Sequence, residues 1–261
     1  MTDPRHDGTP RRRPRRVSWR VGVLLAVAVL GLVSIAALEI ARPRPSDESA
    51  VAVAAPKAVP AVPAAPSGAD AAAAPRPHVD PVWAAQTSWS TGIPVRALEA
   101  YARADLTVDG EQPACGIGWN TIAGIGEIES DHGRHGGAAL DAGGYATPAI
   151  RGPALDGDGN AEIPDTDGGA WDGDARWDRA VGPMQFIPDT WSRWGADGDG
   201  DGDADPNQID DAALATARYL CASGSMTTTD GWRAAVFSYN HLDSYVDDVA
   251  RVANRYATAA G

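Results

Sequence analysis

The feature that most constrains this chain is an uncharged apolar run near its beginning, Val21–Leu38. Its eighteen residues lie at the short end of the length that spans a bilayer as a helix. The twenty residues before it carry seven arginines against two acidic residues, and such a basic excess stays on the cytoplasmic side of a membrane. We therefore expect residues 1–20 to be a cytoplasmic tail and residues 21–40 a transmembrane signal anchor, with the rest of the chain outside the cytoplasm.

A cleaved signal peptide is the alternative interpretation of the same segment. The small residues Ser34, Ala36 and Ala37 lie near a potential cleavage point, and cleavage would release a secreted protein. We favour the retained, single-pass anchor because the apolar run is longer than the 7 to 15 residues usual for a signal peptide.

Residues 41–80 are rich in Ala and Pro, with PKAVPAVPAAP at their centre, and show no hydrophobic periodicity. This composition predicts a disordered linker. Proline favours extended polyproline II geometry, which rises about 3.1 Å per residue. We expect the segment to hold a domain away from the membrane while burying nothing itself.

Residues 81–261 are long enough to form one domain with a single core. They contain 28 acidic and 11 basic residues, within a chain whose net charge is −13. Because nucleic-acid binding requires clustered Lys and Arg, this acidic domain is not expected to bind nucleic acid.

The stretch Trp119–Gly133, WNTIAGIGEIESDHG, predicts a buried helix that carries one carboxylate into a cleft. Ile122, Ile125 and Glu129 are spaced i, i+3 and i+7, so they share one helix face. Burial raises the pKa of a carboxyl group, which suits a general acid that works near neutral pH. The alternative is that Glu129 lies in the last helical turn and points to water.

Two cysteines are present, Cys115 and Cys221. On the exported side of a membrane they most simply form one disulfide. The bond would join the start of the Glu129 helix to the end of a helix predicted over Ala212–Leu220. Neither cysteine has a Cys or His neighbour at the spacing of zinc ligands, so a zinc site is not expected.

The segment GPMQFIPDTW, residues 182–191, places a lone amide, Gln185, between apolar residues after a Gly-Pro turn. An unpaired buried amide costs about 1 to 3 kcal/mol, so Gln185 either bonds the loop backbone or serves a ligand.

The run DGDGDGDADPNQIDD, residues 197–211, begins like a calcium loop. Asp197, Asp199 and Asp201 stand at ligand positions 1, 3 and 5, and Gly202 permits the sharp turn at position 6. So many carboxylates would repel each other without a cation. A solvated acidic turn is the alternative.

The usual glutamate at position 12 of such a loop is absent, since Gln208 stands there. A terminal carboxylate would have to come later, from Asp210 or Asp211 in a lengthened loop.

A second acidic run, residues 156–167, has Asp156, Asp158 and Asn160 at similar spacing but Ala161 in place of the glycine. We interpret it as a surface loop, with a metal site as the less favoured alternative.

Near the C-terminus, WRAAVFSYNHLDSYVDDV, residues 232–249, has a helix-like apolar pattern. Tyr239, Asn240 and Tyr245 lie within it and could be ordinary packing residues. His241 is a candidate base, although a lone histidine is more often structural.

Together these motifs resemble a known family. ESDHG with Glu129, GPMQFIP with Gln185, the Asp-rich loop, and Tyr239-Asn240 followed by Tyr245 occur in the order found in the B-type lytic murein transglycosylases, in their actinobacterial form. The resemblance covers about residues 85–256. It implies a mainly α, α+β lysozyme-like catalytic domain with an EF-hand-like calcium loop.

The resemblance also implies roles for individual residues. The catalytic glutamate falls on Glu129, Gln185 would line the sugar cleft, and Tyr239, Asn240 and Tyr245 would hold substrate near the acid. The implied structural Ca²⁺ ligands are Asp197, Asp199, Asp201, the Asp203 backbone carbonyl and Asp211.

The implied substrate is the peptidoglycan glycan strand, cleaved at its MurNAc–GlcNAc bond by one glutamate without water. Glu127, Asp131 and Asp141 are close enough in sequence to keep a hydrolysing muramidase open as an alternative. A non-enzymatic, calcium-stabilised wall-binding module is the third interpretation. The domain would act on the cell-wall side of the membrane.

Overall fold

The computed structural model describes residues 52–64 and 76–261. The expected cytoplasmic tail and membrane anchor, residues 1–20 and 21–40, lie outside the described residues. Within the described part of the chain, no helix combines the length and apolar character needed to cross a bilayer.

The described chain is mainly helical, with short strands between its third and fourth helices. The helices, in chain order, are α1 (Pro81–Thr91), α2 (Val95–Glu111), α3 (Trp119–Ser130), α4 (Pro188–Trp194), α5 (Ile209–Ala222), α6 (Thr229–Tyr239) and α7 (Asp243–Ala260). A 3-10 turn, His135–Gly137, follows α3. The strands are β1 (Ala139–Leu140), β2 (Ala146–Thr147), β3 (Arg151–Ala154) and β4 (Arg179–Val181), which form the antiparallel pairs β1–β2 and β3–β4.

The predicted helix around Glu129 is confirmed as α3, and it lies at the centre of the fold. Ile122 and Ile125 are completely buried, as their spacing predicts. A Cβ added to Gly124 would lie 3.3 Å from the Cβ of Ala253, so the glycine lets α3 approach α7 closely. The helix ends at Ser130, and its C-cap, Asp131, has a left-handed backbone (φ 52°) and an N–H that bonds the Glu127 carbonyl at 2.9 Å.

Large aromatic side chains fill the core around α3. Trp119, Tyr101 and Tyr256 are at most 2% exposed. The buried His132 lies between two of them, with its Nδ1 3.2 Å from the Tyr101 hydroxyl and its Nε2 2.8 Å from the Tyr256 hydroxyl. Because burial of large aromatic surface is the main source of apolar stabilisation, this cluster fixes α3 against α2 and α7.

The predicted disulfide is present. Cys115 and Cys221 are bonded, with their Cα atoms 5.4 Å apart. Cys115 precedes α3 by four residues and Cys221 lies in the last turn of α5, so the bond joins the two elements that the sequence indicated.

The expectation that residues 41–80 bury nothing is wrong for their described part. Residues 52–64, which we call the strap, lie in extended conformation against the helical domain, and Ala61 is 6% exposed. Residues 76–80 return beside the strap, since the Asp80 N–H bonds the Val62 carbonyl at 2.9 Å. The strap lies against the domain because helix side chains hydrogen-bond its backbone. Contacts of this kind leave no hydrophobic periodicity in the sequence.

The C-terminal apolar pattern is divided between two helices. Thr228 caps the N-terminus of α6 by accepting from the Gly231 N–H at 3.1 Å, and α6 ends at Tyr239. Asn240 is its C-cap, in extended conformation, and α7 begins at Asp243. The break brings the start of α7, with Tyr245, back towards α3.

Candidate active site

The centre of the candidate site is a hydrogen bond between α3 and α7. The Tyr245 hydroxyl donates to Oε1 of Glu129 across 2.6 Å. Tyr245 is buried, whereas Glu129 keeps partial exposure at the end of the buried face of α3. The carboxyl group is thus fixed at one of its two oxygens.

The environment of Glu129 favours its protonated form. Burial raises its pKa to about 7, and the hydrogen bond from Tyr245 opposes this shift without cancelling it. A carboxyl group with a pKa near 7 can donate a proton at neutral pH and take it back later. Glu129 is therefore chemically suited to act as a general acid and base.

Glu127, two residues away on α3, points to a different part of the molecule. Its Oε2 accepts hydrogen bonds from Arg255 and from the Tyr256 hydroxyl. Polar neighbours, His132 first and then Arg255 and Tyr256, lower its pKa to about 2. The Nε2 of His132 is 3.7 Å from Oε2, beyond hydrogen-bond distance, so the direct hydrogen bonds are those from Arg255 and Tyr256. Glu127 is therefore ionised at neutral pH and has a structural role.

The Gln185 segment is tied to the end of α3 by Ser130. The Ser130 hydroxyl donates to the Pro183 carbonyl at 2.6 Å and accepts from the Gly133 N–H at 2.8 Å. Gln185 has a left-handed backbone (φ 52°), and its Nε2 donates to the Gly182 carbonyl at 2.8 Å. The side chain is thus held by its own loop, as one of the two sequence interpretations expected, and it also lines a cavity.

The cavity beside this segment has a volume of about 200 Å³. Gln185 and Tyr239 line it together with residues that the sequence did not single out for the site: Phe186, Ile187, Thr190, Tyr219 and Ser238, with His241 at its edge. Tyr239 also donates a hydrogen bond to the Met184 carbonyl at 2.7 Å. Asn240 is partly exposed at the end of α6 and is not among the lining residues.

Tyr239 and Tyr245 remain protonated donors beside Glu129. The pKa of each hydroxyl is raised well above its ordinary value, first by burial and then by the charge of Glu129. Both side chains can therefore keep donating hydrogen bonds while Glu129 gains and loses its proton.

Three of the predicted metal ligands converge. Carboxylate oxygens of Asp197, Asp199 and Asp211 all lie within 4.8 Å of one another. Asp201 does not belong to this group, and its Oδ1 accepts from the Asp203 N–H at 2.9 Å. Converging carboxylates are the ligand type that a hard divalent cation prefers, so these residues fit calcium.

Two arginines determine which of Asp210 and Asp211 is available to the acidic loop. Asp210 forms ion pairs with Arg96 and Arg103, and it is 2% exposed. Asp211 instead turns into the loop, where its Oδ1 accepts from the Gly198 N–H at 2.7 Å. Only Asp211 is thus available to the acidic loop.

Gln208, which stands where a calcium loop has glutamate, has a structural role. It caps α5 by accepting from the Asp211 N–H at 3.0 Å, and its Nε2 donates to Asp199 at 3.1 Å. The amide therefore joins the acidic loop to the first turn of α5.

A second carboxylate cluster lies in the insertion between β3 and β4, where Asp165, Asp167 and Asp178 also lie within 4.8 Å of one another. Asp178 is fully buried, and both of its oxygens accept from Thr166. Asp156, on which the alternative metal site was based, instead accepts from the Asp158 N–H in a closed turn. The sequence interpretation of residues 156–167 therefore missed the buried partner, Asp178, which lies outside the run.

Comparison with known proteins assigns a class to part of the chain. Residues 165–255 match the family described as Transglycosylase SLT domain. This part of the chain is thus similar to a family of transglycosylases, and the chain is an enzyme. The matched segment includes Gln185, the acidic loop, Tyr239, Asn240 and Tyr245, whereas Glu129 precedes it, so the position of Glu129 rests on geometry. No curated protein matches the chain in sequence.

Solved structures of lytic transglycosylases are distantly similar. The Escherichia coli lytic transglycosylase SLT35 in complex with calcium is 13% identical, with 69% of this chain and 76% of that chain covered and a TM-score of 0.41. SLT35 in complex with bulgecin A is also 13% identical, with 73% and 81% covered and the same TM-score. SltB3 of Pseudomonas aeruginosa in complex with NAG-anhNAM-pentapeptide is 18% identical, with 74% and 70% covered and a TM-score of 0.41. Similarity at this level carries no functional conclusion for this chain.

Proposed function

We propose that this protein is a peptidoglycan lytic transglycosylase that cleaves the MurNAc–GlcNAc β-1,4 bond with Glu129 as its single general acid and base. The observation that supports this most directly is the 2.6 Å hydrogen bond from Tyr245 to a carboxyl group whose pKa burial raises to about 7. The transglycosylase domain over residues 165–255 supports the same reaction class.

In the first step, protonated Glu129 donates its proton to the leaving glycosidic oxygen. Because Tyr245 bonds Oε1, the proton to be transferred is carried by Oε2. The bond between C1 of MurNAc and that oxygen breaks, and the carbonyl of the substrate's N-acetyl group stabilises the positive charge that develops at C1.

In the second step, the ionised Glu129 accepts the proton of the C6 hydroxyl of the same MurNAc while the oxygen attacks C1. A bond forms between C1 and O6, the 1,6-anhydro sugar is complete, and Glu129 is protonated again. No water is consumed, and the pKa near 7 suits both proton transfers.

The surroundings of the other nearby acids support a one-carboxylate mechanism. Hydrolysing glycosidases use two carboxyl groups that face each other across the scissile bond. Glu127 is held by Arg255 and Tyr256 on another side of α3, and exposed Asp131 pairs with Arg134 at 2.6 Å. Both acids are thus engaged elsewhere.

Calcium is the cation that we propose for the acidic loop. Asp197, Asp199 and Asp211 would supply carboxylate oxygens, with Asp201 and the Asp203 carbonyl completing the set proposed from the sequence. Bound Ca²⁺ would neutralise converging negative charge and stabilise the start of α5. Its role is therefore structural.

The proposed location is the outer side of the cell membrane, with residues 21–40 as the anchor and peptidoglycan as the partner. A disulfide between Cys115 and Cys221 suits an oxidising, exported compartment.

The test is mass spectrometry of the soluble fragments that the full-length protein, in detergent, releases from purified peptidoglycan. We expect 1,6-anhydro-muropeptides from the wild type and none from Glu129→Gln. The matched control is Asp131→Asn, which removes a neighbouring carboxylate and places Asn at a left-handed position that it tolerates well. The control should keep its activity. Reducing-end products would contradict the proposal and indicate a muramidase.

A further inference from the structure

The strap, residues 52–64, is bound through its backbone by side chains from four helices. Six backbone groups on five residues are involved: the N–H and C=O of Val53, the C=O of Ala54, the C=O of Lys57, the N–H of Val59 and the N–H of Ala61. The strap thus crosses the surface formed by α2, α3, α6 and α7.

An ion pair holds the first end of the strap. Arg233 on α6 and Asp247 on α7 are bonded at 2.7 Å. Asp247 accepts from the Val53 N–H at 3.2 Å, and Arg233 donates to the Val53 carbonyl at 3.0 Å. The pair therefore satisfies both backbone groups of one residue in the way that a neighbouring strand would.

A buried amide holds the middle of the strap. Asn120, in the first turn of α3, is fully buried. Its Oδ1 accepts from the Val59 N–H at 3.0 Å, and its Nδ2 donates to the carbonyls of Lys57 at 3.1 Å and Ala253 at 3.3 Å. Since buried polar groups must be hydrogen-bonded, the strap supplies most of the partners of Asn120.

A buried carboxyl group holds the far end. Asp105 on α2 is fully buried, and its Oδ2 accepts from the Ala61 N–H at 2.8 Å. A buried acid left without this donor would bear the full desolvation penalty. Asp105 and Asn120 are thus polar residues of the helical core whose bonding depends on the strap.

The composition of the strap suits its place. Pro56 is buried and has no N–H, so it leaves no donor unsatisfied against the surface, whereas Pro60 and Pro63 are exposed. A Cβ added to Gly118 would lie 2.5 Å from Oδ1 of Asn120, which holds the strap, 2.6 Å from the Val59 nitrogen and 2.9 Å from the Ala58 Cα. Position 118 therefore has to be glycine for the strap to lie this close.

We propose that the surface formed by α2, α3, α6 and α7 is a peptide-binding groove whose occupant is the chain's own strap, and that the catalytic domain therefore begins at residue 52. The Ala and Pro composition in this segment provides a backbone ligand of small cross-section. It does not serve as a spacer there.

This docking shortens the tether of the enzyme, a consequence that rests on the proposed membrane anchor. A free linker over residues 41–80 would reach on the order of 120 Å in polyproline II geometry. With the strap docked, the eleven residues 41–51 separate the anchor from the domain, and no conformation of theirs can span more than about 40 Å. The enzyme would then be confined to the layer of wall next to the membrane.

The test is hydrogen–deuterium exchange of the full-length protein in detergent micelles, read by mass spectrometry of peptides that cover residues 52–61. We expect the amides of Val53, Val59 and Ala61 to exchange at least about tenfold more slowly than in a free peptide of the same sequence. Gly118→Ala should remove this protection. The matched control Gly110→Ala adds a methyl group to α2 where a Cβ meets no atom within 4 Å, and it should leave the strap protected.

Two further readouts keep the result decisive. The amides of α5 report whether the Gly118→Ala domain is still folded, and Asp247→Ala, at the partly exposed ion pair, should release Val53 even if the first variant unfolds. Free-peptide exchange rates for residues 52–61 in the wild type would overturn the proposal, as would unchanged protection in a folded Gly118→Ala protein. No enzyme activity enters this measurement, so its outcome is independent of the proposed reaction.

Discussion

Tyr245 and Glu129 are joined by a 2.6 Å hydrogen bond although they are 116 residues apart in the chain. The bond connects the first turns of α7 to the last turn of α3, and these two helices pack against each other through Gly124 and Ala253. The orientation of the candidate acid therefore depends on the packing of two helices as well as on its own rotamer.

The first prediction concerns Tyr245→Phe. The hydroxyl lowers the pKa of Glu129 against the effect of burial, so its removal should raise that pKa further. Loss of a hydrogen bond to a group that becomes charged costs about 1.5 to 3 kcal/mol, so we expect kcat to fall by about tenfold or more. The pH dependence of muropeptide release should also extend to higher pH. A lower rate with an unchanged pH profile would show that Tyr245 acts only by packing.

The second prediction is the pH dependence of the wild type. Glu129 must be protonated when the reaction begins, and its pKa is about 7. We expect kcat/KM to be highest below that pH and to fall about tenfold for each unit well above it. A rate that continued to rise through pH 8 would indicate a different acid.

The third prediction uses the same pKa as a statement about stability. A carboxyl group whose pKa is higher in the folded protein binds its proton more tightly there than in the unfolded chain. Its contribution to the free energy of unfolding is therefore largest at low pH, where the group is protonated in both states. From an ordinary value of 4.5 to about 7, the unfolded chain binds fewer protons than the folded one, and the free energy of unfolding falls as the pH rises through this window.

Glu129→Gln should remove this part of the pH dependence. We expect the variant to gain stability relative to the wild type, by on the order of 2 kcal/mol, between pH 4.5 and pH 7.5. Denaturant titrations at both pH values measure the difference, and Asp131→Asn serves as the exposed-carboxylate control. Parallel stability curves for the wild type and Glu129→Gln would contradict the burial of this acid.

The fourth prediction concerns the acidic loop. Since a ligand that binds only the folded state stabilises it in proportion to the logarithm of its concentration, added Ca²⁺ should raise the melting temperature and EDTA should lower it. Asp199→Asn should abolish the calcium response. Asp165→Asn, in the second carboxylate cluster, should leave that response in place. A melting curve that is insensitive to both Ca²⁺ and EDTA would exclude the proposed site.

The parts of the fold that were predictable have local signals. Ile122 and Ile125 mark the buried face of α3 by their spacing alone, and both are completely buried. The pairing of Cys115 with Cys221 followed from there being only two cysteines. In each case the relevant information lies within one segment or within one residue type.

The strap was missed because its contacts are long-range and involve the backbone. Ala61 binds a carboxylate 44 residues away, and Val53 binds one 194 residues away. A segment that is recognised through its N–H and C=O groups shows no side-chain periodicity, so composition alone suggested a free linker.

The metal ligands were predicted only in part, again because long-range contacts determine them. The alternation of Asp and Gly makes Asp197, Asp199 and Asp201 look equivalent, yet only the first two form a cluster with Asp211. The choice of Asp211 over Asp210 depends on arginines of α2, more than a hundred residues earlier in the chain. Spacing identifies a loop of this kind, whereas the tertiary partners determine its ligands.

The last prediction concerns the disulfide. Cys115 and Cys221 are both 5% exposed and close a loop with a sequence separation of 106 residues, so the bond removes much conformational freedom from the unfolded chain. We expect the double variant Cys115→Ala/Cys221→Ala to lose about 2 to 4 kcal/mol of unfolding free energy, measured by urea titration. The folded variant should retain the pH profile of the wild type, because neither sulfur contacts Glu129 or Tyr245. The double variant should be as stable as the reduced wild type and clearly less stable than the oxidised wild type. This result would assign the lost free energy of unfolding to the disulfide itself. A double variant as stable as the oxidised protein would show that the bond contributes nothing to the stability of the fold.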